Sequence, residues 1–307
     1  MRVPWKPLTV VTAVAATVVV VLGFTGILDS VTAQPLGAYS VALRLRKAYT
    51  GNLFRVVRDS DSAELNIGYE SDGDWDNAAL STHCTGTNCL VMTVYDQSGN
   101  GRDLTSAAAG NRPKVWDSST GAVTCGTAAK LCMQFDPGDG SAGAVDWLRR
   151  TDSLGLTGSP ELHLFWNYQR TGSSTLDKFH WTIGTSASGT HVGVMVSGSG
   201  TRTAVSYLNG VNQFNPNEDA WQFYGMYKAL NAAVGDTTME SGGSAMAETG
   251  DLNPSNTTNI ANTSFSWGAT SGGTFTAEGK SSTLIVWNAQ LTGTDLTNIR
   301  TGMATLN

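Results

Sequence analysis

The chain is a succession of short β-type runs cut apart by glycine, serine, asparagine and aspartate, and that punctuation leaves few folds open to it. Leu53–Val57, Leu90–Tyr95, Glu161–Tyr168, Val192–Ser197, Thr203–Leu208, Phe223–Tyr227 and Ser282–Trp287 are each about one strand long and bounded by turn formers. Within Glu161–Tyr168, Leu162, Leu164 and Trp166 recur with the period of a strand that buries one face. Many short strands and little helix predict an all-β, antiparallel two-sheet β-sandwich. Two short helices are expected to cover it. One is Ala38–Tyr49, with Arg44, Arg46 and Lys47 on a basic face; the other is Thr294–Met303, behind the capping sequence Thr292-Gly-Thr-Asp.

Ahead of the strands lies a different kind of segment. Arg2 and Lys6 precede an uncharged stretch from Leu8 to Leu28, rich in Val, Ala, Thr and Leu. It reads as a membrane-targeting segment: a signal peptide, a retained N-terminal membrane anchor, or a segment buried in an assembly. Val31 and Ala33 supply the small residues that favour cleavage before Gln34. The expected organisation is therefore a targeting segment over residues 1–33 and a single sandwich domain over 34–307.

Charge and cysteine bound the partners. With 19 Lys+Arg against 25 Asp+Glu the net charge is −6, and no basic cluster exceeds Arg44–Lys47, which excludes nucleic acid as a partner. Contact with a membrane is expected only through the N-terminal segment. Cys84 and Cys89, and Cys125 and Cys132, are each close enough to close a small loop. In an exported chain this favours two local disulfides over a site of four thiolates, for which no C-x-x-C spacing exists. His83, His163, His180 and His191 are scattered without metal-binding spacing, so neither metal nor cofactor is expected. Asn256-Thr-Thr and Asn262-Thr-Ser are glycosylation sequons.

Between Ala48 and Thr105 the residues become specific. Ala48-Tyr-Thr-Gly-Asn, Arg55-Val-Val-Arg-Asp-Ser-Asp, His83-Cys-Thr-Gly-Thr-Asn-Cys-Leu and Tyr95-Asp-Gln-Ser-Gly-Asn-Gly-Arg-Asp-Leu-Thr resemble the N-terminal half of the catalytic domain of the B-type α-L-arabinofuranosidases. Similar blocks occur in phage and virus structural proteins that lead into a concanavalin-A-like or laminin-G-like sandwich (jelly roll). Phe135-Asp-Pro-Gly-Asp, Asp146-Trp-Leu and Gly279-Lys-Ser-Ser-Thr-Leu-Ile-Val-Trp-Asn-Ala-Gln-Leu-Thr are more similar to that second group. Both resemblances imply the same fold over most of residues 36–305.

They imply different functions. Glycoside hydrolysis requires two carboxyl groups across one sugar. The arabinofuranosidase resemblance places the nucleophile on a Gly/Met/Glu-bearing strand segment in the second half, and no segment of this chain matches it. The remaining candidate acids are Glu218, Asp219 and Glu240, the last in Thr-Met-Glu-Ser-Gly-Gly on an expected turn. Trp75 and Trp221, in turn-rich sequence, are candidate platforms for sugar rings. Asp96 is expected to hold the turn Tyr95–Gly101 through its own backbone, with ligand binding as its second reading.

The leading expectation is thus a non-catalytic protein, secreted or on a virion surface. It would be structural or carbohydrate-contacting, with a glycan or neighbouring structural subunits as partner. The alternatives are an α-L-arabinofuranosidase-like hydrolase and a membrane-anchored surface adhesin.

Overall fold

The computed structural model describes residues 24–135, 146–171, 178–185, 191–196, 204–207, 211–214, 220–252, 255–260, 263–269 and 277–307. All seven runs read from the sequence are strands, within two residues of their expected limits. They build two antiparallel sheets packed face to face. The first runs in the order Gly37–Ser40, Thr283–Trp287, Leu162–Arg170, Gln222–Lys228, Thr238–Ser241, Ser244–Ala245. The second includes Phe54–Arg58, Cys89–Val94, Leu148–Arg150, Phe265–Trp267, Lys178–Gly184 and His191–Val196. The inner faces meet through aromatic rings. Trp166 stacks on Tyr224 and meets Trp181 edge-on, each at 5.6 Å between centroids.

The first sheet is buried on its outer face as well. Leu162 to Tyr168 are buried without interruption, although the alternation predicted one buried face. On the outer side Phe165, Phe223, Ile285 and Trp287 pack beneath Ile299, Met303 and Leu306 of the C-terminal segment, and beneath Ile27, Leu28 and Val31. Helix α2, Gly293–Ala304, appears where the sequence placed it. Its N-cap is Thr292, whose side chain makes no capping bond. Asp295 of the first turn instead accepts from the backbone of Thr32 and Ala33.

The folded body therefore begins ahead of the residue 33/34 boundary. Asp29 accepts from the Gly26 and Lys47 amides, Leu28 N donates to Leu45 O at 2.9 Å, and Trp287 Nε1 donates to Ala33 O at 3.1 Å. Residues 1–23, which hold most of the apolar stretch, lie outside the described residues. Among the described residues no helix is long and apolar enough to cross a membrane.

The expected helix Ala38–Tyr49 is not formed. Gly37–Ser40 is a strand against Thr283–Val286, and the chain beyond it is irregular. The reason lies in the Asp96-Gln97 pair. Gln97 accepts from Leu45 N and donates to Ser40 O and Leu43 O, while its own amide donates to Ala38 O. Those side-chain bonds satisfy backbone groups that a helix would otherwise pair internally. A short helix the sequence did not announce, α1 at Asn77–His83, starts at Asp76, whose side chain accepts from Ala79 N at 2.9 Å.

Both cysteine pairs are disulfides, with Cα separations of 5.8 Å for Cys84–Cys89 and 6.0 Å for Cys125–Cys132. Each closes a short loop worth about 2 kcal/mol in the chain-entropy account.

Candidate functional site

Gly225 interrupts the first sheet's outer face. It sits in register between Phe165 and Glu240, and a Cβ there would lie 2.7 Å from Glu240 Cγ and 2.8 Å from Phe165 Cε1. Only glycine leaves room for the Glu240 side chain to lie across the sheet. Glu240 is on the strand Thr238–Ser241, which corrects the turn expected there; the turn follows at Gly242-Gly243, both with positive φ. Its carboxylate is buried, at 7% exposure, and Arg300 of α2 grips it through Nε, 3.0 Å from both oxygens, and through a second guanidinium nitrogen. These bonds raise the Arg300 pKa further.

Two residues along the same face, His163 and Tyr227 stand opposite each other with ring centroids 5.5 Å apart. Leu291 N donates to His163 Nδ1 at 3.0 Å, so the ring proton belongs on Nε2. Burial, with the Arg300 charge second, lowers the His163 pKa to about 4, and the imidazole is neutral at pH 7. Tyr227 donates its hydroxyl to Glu161 Oε1 at 2.9 Å; burial, then this bond, raises its pKa. Glu240, Arg300, His163, Tyr227, Leu291 and Leu296 line a cleft of about 270 Å³. One carboxylate is gripped by a guanidinium, a second accepts from the Tyr227 hydroxyl, and the walls are aromatic and aliphatic. A small polyol has both its hydrogen bonds and its apolar faces answered there.

Two other clefts are less suited to sugar chemistry. One of about 410 Å³ is lined by Asp103, Trp147, Arg149 and Arg150, but Arg149 covers the Trp147 ring at 4.2 Å and Arg150 pairs with Asp152. Another, of about 250 Å³, sets Asp59 and Asp146 among Arg112 and Lys114 with no aromatic wall.

The remaining sequence candidates fall in different places. Asp96 accepts four hydrogen bonds, from Ala38 N, Ser98 N, Ser98 Oγ and Arg102 N, which fill its lone pairs and fix the turn. Trp75 is half-buried against the main core. Trp221 lines a separate cleft with Cys125, 450 Å³ in volume. Asn256 is half-buried, and Thr258 of its sequon is buried and bonded to Ser159. Glu218, Asp219 and Asn262 lie outside the described residues. Sequence reasoning missed Arg300, His163, Tyr227 and Glu161. The one signal available was Gly225, a glycine inside a strand pattern.

Residues 27–135 match the family described as alpha-L-arabinofuranosidase B, catalytic. The likeness is to arabinofuranosidases. A probable alpha-L-arabinofuranosidase B of Aspergillus terreus is 46% identical over 76 residues, 24% of this chain and 15% of that protein. The alpha-L-arabinofuranosidase B of Emericella nidulans is 39% identical over 93 residues, 29% of this chain and 18% of that one. The chain thus aligns with less than a fifth of the length of these curated relatives. An arabinofuranosidase complexed with arabinofuranosyl-α-1,2-xylobiose superposes with a TM-score of 0.65 at 16% identity, covering 90% of this chain and 64% of that one. A Glu-to-Gln variant of a GH54 α-L-arabinofuranosidase, soaked with 4-nitrophenyl α-L-arabinofuranoside, gives 0.66 at 16% identity over 91% of this chain and 64% of that one. At that identity the structural likeness establishes the sandwich fold.

These comparisons overturn the leading expectation of a non-catalytic structural protein. The matched family is one of catalytic domains, the named relatives are arabinofuranosidases, and the virion reading gains no support.

Proposed function

We propose that the chain is a glycoside hydrolase of the α-L-arabinofuranosidase type, acting on arabinofuranosyl-bearing glycans. The observation that carries this reading is the match of residues 27–135 to the arabinofuranosidase B catalytic family. Glu240 and Glu161 lie beyond the matched stretch; Glu240 lines the cleft, Glu161 is joined to it through the Tyr227 hydroxyl, and their assignment rests on that arrangement. In this reading Glu240, gripped by Arg300, faces the developing positive charge at the anomeric carbon. Glu161, beside Tyr227, is the second carboxyl group and exchanges the proton with the leaving-group oxygen. His163 offers its Nε2 proton to a sugar oxygen. The uncharged stretch Leu8–Leu28 supports export to an extracellular substrate.

The test is release of 4-nitrophenol from 4-nitrophenyl α-L-arabinofuranoside. Wild-type activity should fall at least 100-fold in E240Q and in E161Q, the scale of losing a general acid–base group. Full activity in both variants would remove the assignment of the cleft; absence of wild-type activity on this and on arabinoxylan would remove the hydrolase reading.

A further inference from the structure

We propose that the cleft around Trp221 is a docking subsite for a neutral oligosaccharide, separate from the Glu240 cleft. Phe223, Gly225 and Tyr227 alternate onto one face of the strand Gln222–Lys228, and Trp221 immediately precedes that strand, four residues and roughly 13 Å at about 3.3 Å per residue from Gly225. Between them, Phe223 packs in the cluster beneath α2.

Three features make the Trp221 cleft a sugar site rather than a surface hollow. First, the indole is fixed. Its Nε1 donates to Leu306 O at 2.6 Å, and its body packs on Val123, Cys125 and Cys132. Gly126, at φ +67°, lies so close that a Cβ would be 2.7 Å from Trp221 Cδ1. A flat apolar surface held this way loses little entropy when a ring lies on it. Second, the cleft contains an unanswered acceptor: Asn307 Oδ1 is buried and lacks a hydrogen-bond partner. A hydroxyl donor would satisfy it. Third, the other lining side chains, Thr124, Thr127 and Gln169, carry no charge, and Lys280 at the rim is bonded to Thr124 O at 3.0 Å. A ligand with hydroxyls, an apolar ring face and no charge fits this lining. The volume of about 450 Å³ lies within the range of small-molecule sites.

The probe is an arabinoxylan oligosaccharide, titrated into the full chain carrying E240Q so that hydrolysis does not intervene, and followed by calorimetry and tryptophan fluorescence. W221A should weaken binding roughly tenfold or more, W221F should recover most of it, and N307A should weaken it severalfold. The thermal transition of each variant is measured alongside, because Trp221 also ties down Leu306; N307A leaves that tie intact and carries the test if W221A fails to fold. Unchanged affinity in both W221A and N307A, or equal affinity for an oligogalacturonate, would overturn the proposal. Because the readout is binding, failure of the hydrolase reading appears separately as absent turnover.

Discussion

Cutting the chain between Ala33 and Gln34, the site the sequence favours for signal cleavage, should unfold the domain. Ile27, Leu28 and Val31 are 9%, 1% and 4% exposed. At about 1.5–3 kcal/mol for each buried aliphatic side chain, their loss removes roughly 4.5–9 kcal/mol. The hydrogen bonds of this segment to Lys47, Leu45, Asp295, Asn298 and Trp287 add about 1 kcal/mol each. The stability of a domain this size is about 5–15 kcal/mol, so the loss consumes most or all of it. The truncation also uncovers Trp287, Ile299, Met303 and Leu306, an apolar patch that promotes association. The comparison is between a protein starting at Phe24 and one starting at Gln34, both followed by urea unfolding and gel filtration. The first should show one cooperative transition and the second should aggregate or unfold at a much lower denaturant concentration. Equal midpoints for the two would refute the reasoning, and so would a secreted, active chain whose first residue is Gln34. Cleavage that spares the domain is expected upstream of Ile27.

Two further outcomes follow from buried positions of the two sheets. G225A should destabilise the fold by about 1–3 kcal/mol through overpacking against Phe165 and Glu240, and should lower turnover more than it lowers stability; denaturant midpoints and 4-nitrophenol release check both. His163 and His180 have pKa values lowered by burial to about 4 and about 3, so the unfolded chain binds protons first as the pH falls. Stability should therefore be intact above pH 6.5 and decline between pH 6.5 and about 3, with H163Q flattening the part of that slope above about pH 4 in urea titrations at stepped pH.

Much of this molecule was legible one residue window at a time. Strand runs were legible because alternation and turn formers act over a few residues, and both disulfides because their loops are too short to reach elsewhere. Tyr95–Gly101 was legible as a turn because Asp96 accepts from Ser98 N and Ser98 Oγ accepts from Asn100 N. The same local reading failed at Ala38–Tyr49. There a helix-like pattern loses to Gln97, whose amide takes the backbone groups across more than fifty residues of sequence.

The candidate site lay beyond reach of such windows. Glu240 became more than an isolated acid in a glycine-rich segment only when antiparallel pairing set it beside Gly225 and α2 brought Arg300 to it from sixty residues away. The N-terminal segment shows the same division. Its composition determines that residues 8–28 are apolar and suited to a membrane, a property of each side chain alone. That Ile27, Leu28 and Val31 are buried instead under α2 was decided by tertiary structure, because the surface that covers them is assembled from Phe165, Trp287, Ile299 and Met303, residues no local pattern connects.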